Sequence, residues 1–170
     1  LEDSELIERR VSDGDRRRRY IHLRREGLDG LAPPPSINPG IVLFVCTHNS
    51  ARSPFAAALW HQRTGGIAES AGTDPAPRVH PLALRTAAGF GLDLAGATPK
   101  GYDAVAQAPD LVVSVCDRAR EQGLPFAAPA LHWSVADPVR DGRTSAFRSA
   151  FVDIAERIER LAAAVGVEAP

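Results

Sequence analysis

The chain has no methionine, only two cysteines, two tryptophans and two tyrosines among 170 residues, and no excess of charge of either sign. Each scarcity excludes something. Two cysteines cannot build the disulfide framework of a small secreted domain, so in a reducing compartment they are expected to be chemical rather than structural. A net charge of −1, from 20 basic and 21 acidic residues, gives no global field that would name nucleic acid or a membrane surface as partner. No apolar run reaches the roughly 20 residues that cross a bilayer. Leu1-Glu2-Asp3-Ser4 also lacks the charged and apolar regions of a secretion signal. The expectation is a cytoplasmic protein without membrane contact. A sequence that opens at Leu1 and lacks methionine reads as processed, truncated or the remnant of something longer. What is present, 44% hydrophobic and 24% charged residues, is the composition of an ordinary globular domain with a real core.

Residues from Leu6 to Val11, then Ser12-Asp13-Gly14-Asp15, then Arg16 to Leu23 read as strand, turn and strand, with Asp-Gly at the tip. Such a hairpin alone is marginal. Its run Arg16-Arg17-Arg18-Arg19 is either a solvated face balanced by Glu2, Asp3, Glu5, Glu8, Asp13 and Asp15, or a finger that grips phosphates. The Pro-rich segment from Gly30 to Gly40 cannot continue a helix or a central strand. It places a boundary between residues 1–38, hairpin and linker, and residues 39–170. From Ile41 onward short apolar runs alternate with helical stretches, the pattern of a parallel sheet flanked by helices. Strands are expected from Ile41 to Cys46, Ile67 to Ala71, Leu111 to Cys116 and Ala130 to Trp133. Helices are expected from Pro54 to Arg63, Pro81 to Ala88, near Tyr102 to Gln107, and from Thr144 to Val165. The last carries Ile154, Ile158 and Leu161 at helical spacing.

The first of these strands is apolar on both faces and runs straight into Cys46, while Ser53-Pro54 opens the following helix, where Pro suits the first turn. A loop between a buried strand's carboxyl end and a helix N-terminus aims several N–H groups and the positive end of the dipole at one point. Thr47, His48, Asn49, Ser50, Ala51, Arg52 and Ser53 therefore form a candidate anion cradle. Asn49 tolerates positive φ and supplies the bend that Gly gives other phosphate loops. Arg52 adds a planar bidentate donor. The same field is expected to bring Cys46 below the free-cysteine pKa of about 8.5, making it a thiolate nucleophile beneath a bound oxyanion. An inert strand-end cysteine is the plainer alternative. The arginine six residues later and the Ser-Pro behind it argue against that. A Walker-type loop is excluded because no Gly-Lys-Ser/Thr occurs, and a dinucleotide site because no Gly-x-Gly-x-x-Gly turn does. His48 orients the loop or faces solvent, and carries no acid–base role. His80, His132 and the other histidines do not stand in metal-ligand spacing with Cys46 and Cys116, so neither a metal nor a bound cofactor is expected.

The run Val42 to Ser53, with its Cys-x5-Arg-Ser loop, resembles the low-molecular-weight protein tyrosine phosphatases and the thioredoxin-coupled arsenate reductases that share their fold. Glu69-Ser70-Ala71-Gly72, Val79-His80-Pro81, Leu111 to Cys116, and His132-Trp133 leading to Asp137-Pro138 follow in the family's order. The resemblance thus covers Ile41 to Val165. It implies a three-layer α/β sandwich with a four-stranded parallel sheet of order 2-1-3-4. It implies Cys46 as nucleophile, Arg52 as oxyanion ligand and Asp137 as general acid, a carboxyl whose pKa a bound oxyanion would push up. In that order the first and third strands are neighbours about 4.8 Å apart, within the about 4.4–6.8 Å Cα separation that a disulfide spans. Cys116 is therefore expected to reach Cys46, directly or after loop movement.

The reductases resembled here use a cysteine at the Cys116 position to attack the covalent arseno-thiol. The His132-Trp133 pair, and Val139-Arg140 where eukaryotic-type phosphatases place tyrosines, resemble that branch too. Many thioredoxin-coupled members carry a third cysteine before a proline, where this chain has Gly123-Leu124-Pro125. An external reductant, thioredoxin or a low-molecular-weight thiol, is thus expected to open the disulfide directly. Two enzyme readings stand: arsenate reduction with Cys116 resolving, and hydrolysis of phosphotyrosine or aryl phosphates with Cys116 a protective bystander. The hairpin separately resembles the wing of a winged helix-turn-helix repressor of the arsenic-responsive type. That keeps a third reading, an arsenic- or redox-responsive regulator, with DNA a partner only of a longer chain carrying the full winged helix.

Overall fold

The computed structural model describes residues 7–24 and 39–165; most of the expected linker, and the segment from Gly30 to Asn38 where the boundary was placed, lie outside them. Two short strands, β1 (Ile7–Val11) and β2 (Arg19–Leu23), pair antiparallel with Val11 opposite Arg19. The connection is longer than the two-residue turn that Asp13-Gly14 suggests. Neither residue takes the positive φ of a type I′ turn. Instead residues 12–18 are closed by Ser12 N–H to the Arg18 carbonyl at 3.1 Å and Arg18 N–H to the Asp15 carbonyl at 2.8 Å. The reason is tertiary: the tip turns onto the rest of the chain, with Ser12 only 2% exposed. Arg16 to Arg19 stay exposed, and Arg17 and Arg18 pair with Asp15.

The remaining strands, β3 (Ile41–Cys46), β4 (Ile67–Gly72), β5 (Leu111–Ser114) and β6 (Ala130–His132), form one sheet in the order β4-β3-β5-β6. Every pairing is parallel, which is the 2-1-3-4 order. Alternation splits β3 between two apolar clusters, as the period of a strand requires. Val42 and Phe44 join Phe55, Trp60, Phe147, Ile154 and Ile158 beneath α1 (Arg52–Thr64) and α5 (Thr144–Ala164). Leu43 and Val45 meet Val112 on the opposite face, covered by Tyr102, Val105, Leu124 and Phe126. Burying each large side chain is worth about 1.5–3 kcal/mol, so the two central strands are pinned from both faces. Their carboxyl ends are correspondingly fixed. A further helix, α2 (Pro81–Gly89), is capped by His80, whose Nδ1 accepts the Leu82 N–H at 3.2 Å.

Two expectations need correction. The helix expected near Tyr102 to Gln107 is a single 3₁₀ turn, Tyr102–Ala104, because Val105 returns to extended backbone. The strand expected to end at Cys116 ends at Ser114. Cys116 instead caps a short helix, α3 (Asp117–Gln122), its sulfur accepting the Ala119 N–H at 3.4 Å. A last short helix, α4 (Pro138–Asp141), begins where Asp137 Oδ1 accepts the Val139 N–H at 3.0 Å, and stops at Gly142 with φ 77°. Among the described residues no helix is long and apolar enough to cross a membrane.

Candidate active site

The loop from Cys46 to Ser53 takes its shape from one unusual residue and one necessary glycine. Among the described residues Asn49 is the only non-glycine with positive φ, at 47°, the bend expected of it. Its own side chain holds it there: Nδ2 donates to Ser53 Oγ at 2.8 Å, and Oδ1 accepts the Lys100 N–H at 2.9 Å. Gly72, at the end of β4, lets the loop approach. A Cβ at Gly72 would fall 2.5 Å from the Thr47 carbonyl oxygen and 2.9 Å from Asn49 N. The carbonyls of Thr47, His48 and Ser50 are engaged outward by the N–H groups of Asp74, Ala76 and His80 at 2.8–2.9 Å. In trans peptides this turns the N–H groups of Asn49 and its neighbours the other way. Asn49 N–H accordingly points at Cys46 Sγ, 3.2 Å away, and Ser53 Oγ lies 3.1 Å from the same sulfur.

Arg52 opens α1 and is 6% exposed, an uncommon burial for a guanidinium. It is held by two contacts: Nη1 donates to the Val135 carbonyl at 2.9 Å, and Nη2 lies 3.0 Å from Asp137 Oδ2. The structure therefore brings Cys46, Arg52 and Asp137 to one place, with Thr47, Asn49, Ser50, Ala51 and Ser53 buried around them. His48 turns outward, with Nδ1 2.9 Å from the Asp74 carbonyl oxygen. His80 caps α2 and stacks on Phe147 at 4.8 Å.

Cys116 lies beside the loop. It is 1% exposed, both cysteines are free, and its sulfur is 3.5 Å from Thr47 Oγ1. Burial pushes the Cys116 thiol above the usual cysteine range and Cys46 adds to this, while Arg52, Thr47 and the Ala119 N–H oppose it. The following residue, Asp117, is 2% exposed. Its Oδ1 lies 3.1 Å from His132 Nε2, and His132 Nδ1 is 2.8 Å from Ser114 Oγ. Burial pushes the Asp117 carboxyl up. Hydrogen bonds from His132, Ser134 and the Asp13 N–H outweigh it and hold the group below the usual aspartate range. Sequence reasoning missed this Ser114–His132–Asp117 chain and the Lys100 backbone contact; a carboxylate directly after a strand-end cysteine was the available signal. Among the described residues no group of His, Cys, Asp and Glu is arranged to hold a metal ion.

Residues 41–169 match the model of the family described as low molecular weight phosphotyrosine protein phosphatase. An arsenate reductase of Bacillus cereus is 33% identical over 129 residues, spanning 72% of this chain and 94% of that protein. Among solved structures, an arsenate reductase from Archaeoglobus fulgidus superposes with a TM-score of 0.63 at 35% identity, over 72% of this chain and 98% of that one. A thioredoxin-dependent arsenate reductase from Corynebacterium glutamicum gives a TM-score of 0.58 at 28% identity, over 83% of this chain and 66% of that one. With the family's model matched from β3 to beyond α5 and the Bacillus protein matched over nearly its whole length, the chain belongs to the low molecular weight phosphotyrosine protein phosphatase family and is an enzyme of that superfamily.

Proposed function

We propose that the chain reduces arsenate to arsenite through Cys46 and Cys116, with electrons from an external thiol system. The observation that carries this reading is the second cysteine: Cys116 is buried, outside any disulfide, and its sulfur is 3.5 Å from Oγ1 of Thr47, the residue that follows the nucleophile. A hydrolase needs no such partner, whereas reducing As(V) to As(III) takes two electrons, which a dithiol gives on forming a disulfide.

In the proposed sequence arsenate lies against the loop N–H groups and Arg52. The Cys46 thiolate attacks arsenic, and Asp137 gives its proton to the departing oxygen, which leaves as water. Cys116, deprotonated, then attacks Cys46 Sγ. The S–As electron pair passes to arsenic, arsenite leaves, and a Cys46–Cys116 disulfide remains. An external dithiol or small thiol reduces that disulfide, and no bound cofactor enters. The relatives named arsenate reductases support the substrate, and the Corynebacterium protein's dependence on thioredoxin supports a reductant of that kind.

A second reading has its own observation. The Arg52–Asp137 contact supports it, since a carboxyl group then stands beside the loop without any use of Cys116. The same three residues would carry an aryl phosphate or phosphotyrosine through a cysteinyl-phosphate, which water hydrolyses. The test is arsenite production by wild type and Cys116→Ser, with thioredoxin or small thiols, beside aryl-phosphate hydrolysis. Loss of reduction with hydrolysis retained is expected. Brisk hydrolysis unaffected by the substitution, with no reduction by wild type, would make this a phosphatase.

A further inference from the structure

The hairpin lies outside the region matched by the family model, which begins at residue 41, yet its tip touches both chemistry-bearing elements of the site. Asp13 N–H donates to Asp117 Oδ2 at 2.6 Å, and Asp13 Oδ2 accepts the Asp137 N–H at 3.3 Å. One residue thus contacts the turn that follows Cys116 and the loop that presents Asp137. Around it, Glu121 of α3 is gripped from three positions. Ser12 Oγ donates to Oε1 at 2.7 Å, Asp15 N–H to Oε2 at 2.7 Å, and the Tyr20 hydroxyl lies 3.3 Å from Oε1. The Tyr20 ring packs on His132 with centroids 4.5 Å apart, and His132 holds the other oxygen of Asp117.

We infer that the hairpin tip is a positioning element for the site proposed above, with Asp13 fixing the Asp137 loop and the Glu121 grip fixing the helix that Cys116 caps. This rests on the reading of Asp137 as acid and Cys116 as second thiol. The physical need is clear for both. A helix as short as α3, six residues from Asp117 to Gln122, does not hold itself in water. The Ala119 N–H that the Cys116 sulfur accepts ties the thiol to the head of this helix. A grip on Glu121 therefore keeps Cys116 parked, and releasing the grip frees it. The Asp137 N–H sits at the head of the four-residue α4, where an N–H group has no intrahelical acceptor. Beside these contacts an open cleft of about 760 Å³ separates the hairpin from α4 and α5, with Val11, Asp13, Arg16, Asp137, Ser149 and Asp153 in its lining. The hydrogen bonds to α3 and the Asp137 loop accordingly anchor it at the tip.

Two variants test this. Asp13 is exposed, so Asp13→Ala opens no core. Because a displaced acid matters most when the leaving group is poor, kcat for phenyl phosphate is expected to fall about 10-fold or more. For p-nitrophenyl phosphate it should fall less than about 3-fold. Asp13→Asn, which keeps an oxygen acceptor, should restore both. The second variant, Glu121→Ala, is made in a Cys46→Ser background and read as Cys116 alkylation by iodoacetamide, followed by mass spectrometry. Alkylation should accelerate about 10-fold or more as the parked helix loosens. Equal losses for the two phosphates without rescue by Asn, or alkylation unchanged by Glu121→Ala, would overturn the inference. Alkylation needs no turnover, so a wild type that neither reduces arsenate nor hydrolyses phosphates would sink the functional reading while the grip is still decided.

Discussion

Cys46 ends β3 and Cys116 lies two residues past the end of the adjacent parallel strand β5, and both are buried, yet their surroundings are built on opposite plans. The Cys46 loop is braced largely from within: Asn49 bonds Ser53, both approach the sulfur, and the loop carbonyls are tied to the chain after β4. The Cys116 turn is braced from outside, by His132 on one carboxylate oxygen of Asp117 and by the hairpin on the other. The difference suits the proposed roles. A nucleophile must keep its distance from the donors that hold the oxyanion, since small misplacements cost orders of magnitude in rate. A second thiol has to reach the first, and support that can be withdrawn permits that.

The sharpest way to test the comparison is at the braced end. Cys46→Ser should lower both arsenate reduction and any phosphate hydrolysis by at least about 10³-fold. The melting temperature should scarcely change, because a hydroxyl still accepts from the Asn49 N–H. Next in size is Asn49→Ala, which places a residue with no side-chain acceptor at φ 47° and orphans the Lys100 N–H. Thermal or urea unfolding should show a loss of about 2–4 kcal/mol, and kcat/KM a fall of about 10²-fold. Asn49→Gly, which tolerates the backbone but lacks the hydrogen bonds, should lie between. An Asn49→Ala protein as stable as wild type would mean the loop is not self-braced, and the contrast between the cysteines would be lost.

How much of this was legible in the sequence follows the same division. The Cys46 loop is local, and local chemistry can be read. An apolar strand, a cysteine, an asparagine at the bend, an arginine and Ser-Pro fix the loop before any fold is known, and Asn49 takes the positive φ expected of it. A parallel, doubly covered sheet was legible because β3 and β5 are continuous apolar runs that only such a sheet buries, while the strand order came only with the family resemblance. The Cys116 turn was not, since α3 and α4 are too short to show a helical period, and Leu111 to Cys116 reads as one unbroken strand. The hairpin tip was misread for a related reason. Asp13-Gly14 has the composition of a tight turn, but the N–H groups of Asp13 and Asp15 are spent on Asp117 and Glu121, partners about a hundred residues away that no local pattern encodes.

A smaller effect lies in how the labelling of Cys116 depends on pH. Burial and the neighbouring Cys46 both push Cys116 above the usual cysteine range, so at neutral pH it is held as a thiol. In Cys46→Ser, iodoacetamide should label Cys116 slowly at pH 7. The rate should climb through the alkaline range without levelling near the free-cysteine value of about 8.5. A plateau below that value would show a second thiol already activated and exposed, and the external bracing would have no work to do.

The smallest effect reads the bracing without touching either cysteine. The Tyr20 hydroxyl is pushed up to about 12, by burial first and then by Glu121 and Asp117. Burial pushes the chain's other tyrosine, Tyr102, up as well. An ultraviolet titration of the native protein should therefore show no phenolate forming around pH 10, where free tyrosine ionises. Glu121→Ala should return one tyrosine toward about 10 and leave the other masked. The sign of the linkage follows, because a group whose folded pKa lies above its unfolded one adds stability that is complete below about pH 10 and lost as pH rises toward 12. Hairpin docking should thus hold through neutral pH and weaken only in strong alkali. If wild type instead titrates one tyrosine near pH 10, the hairpin stands away from α3 in solution, and Cys116 must be held by His132 alone.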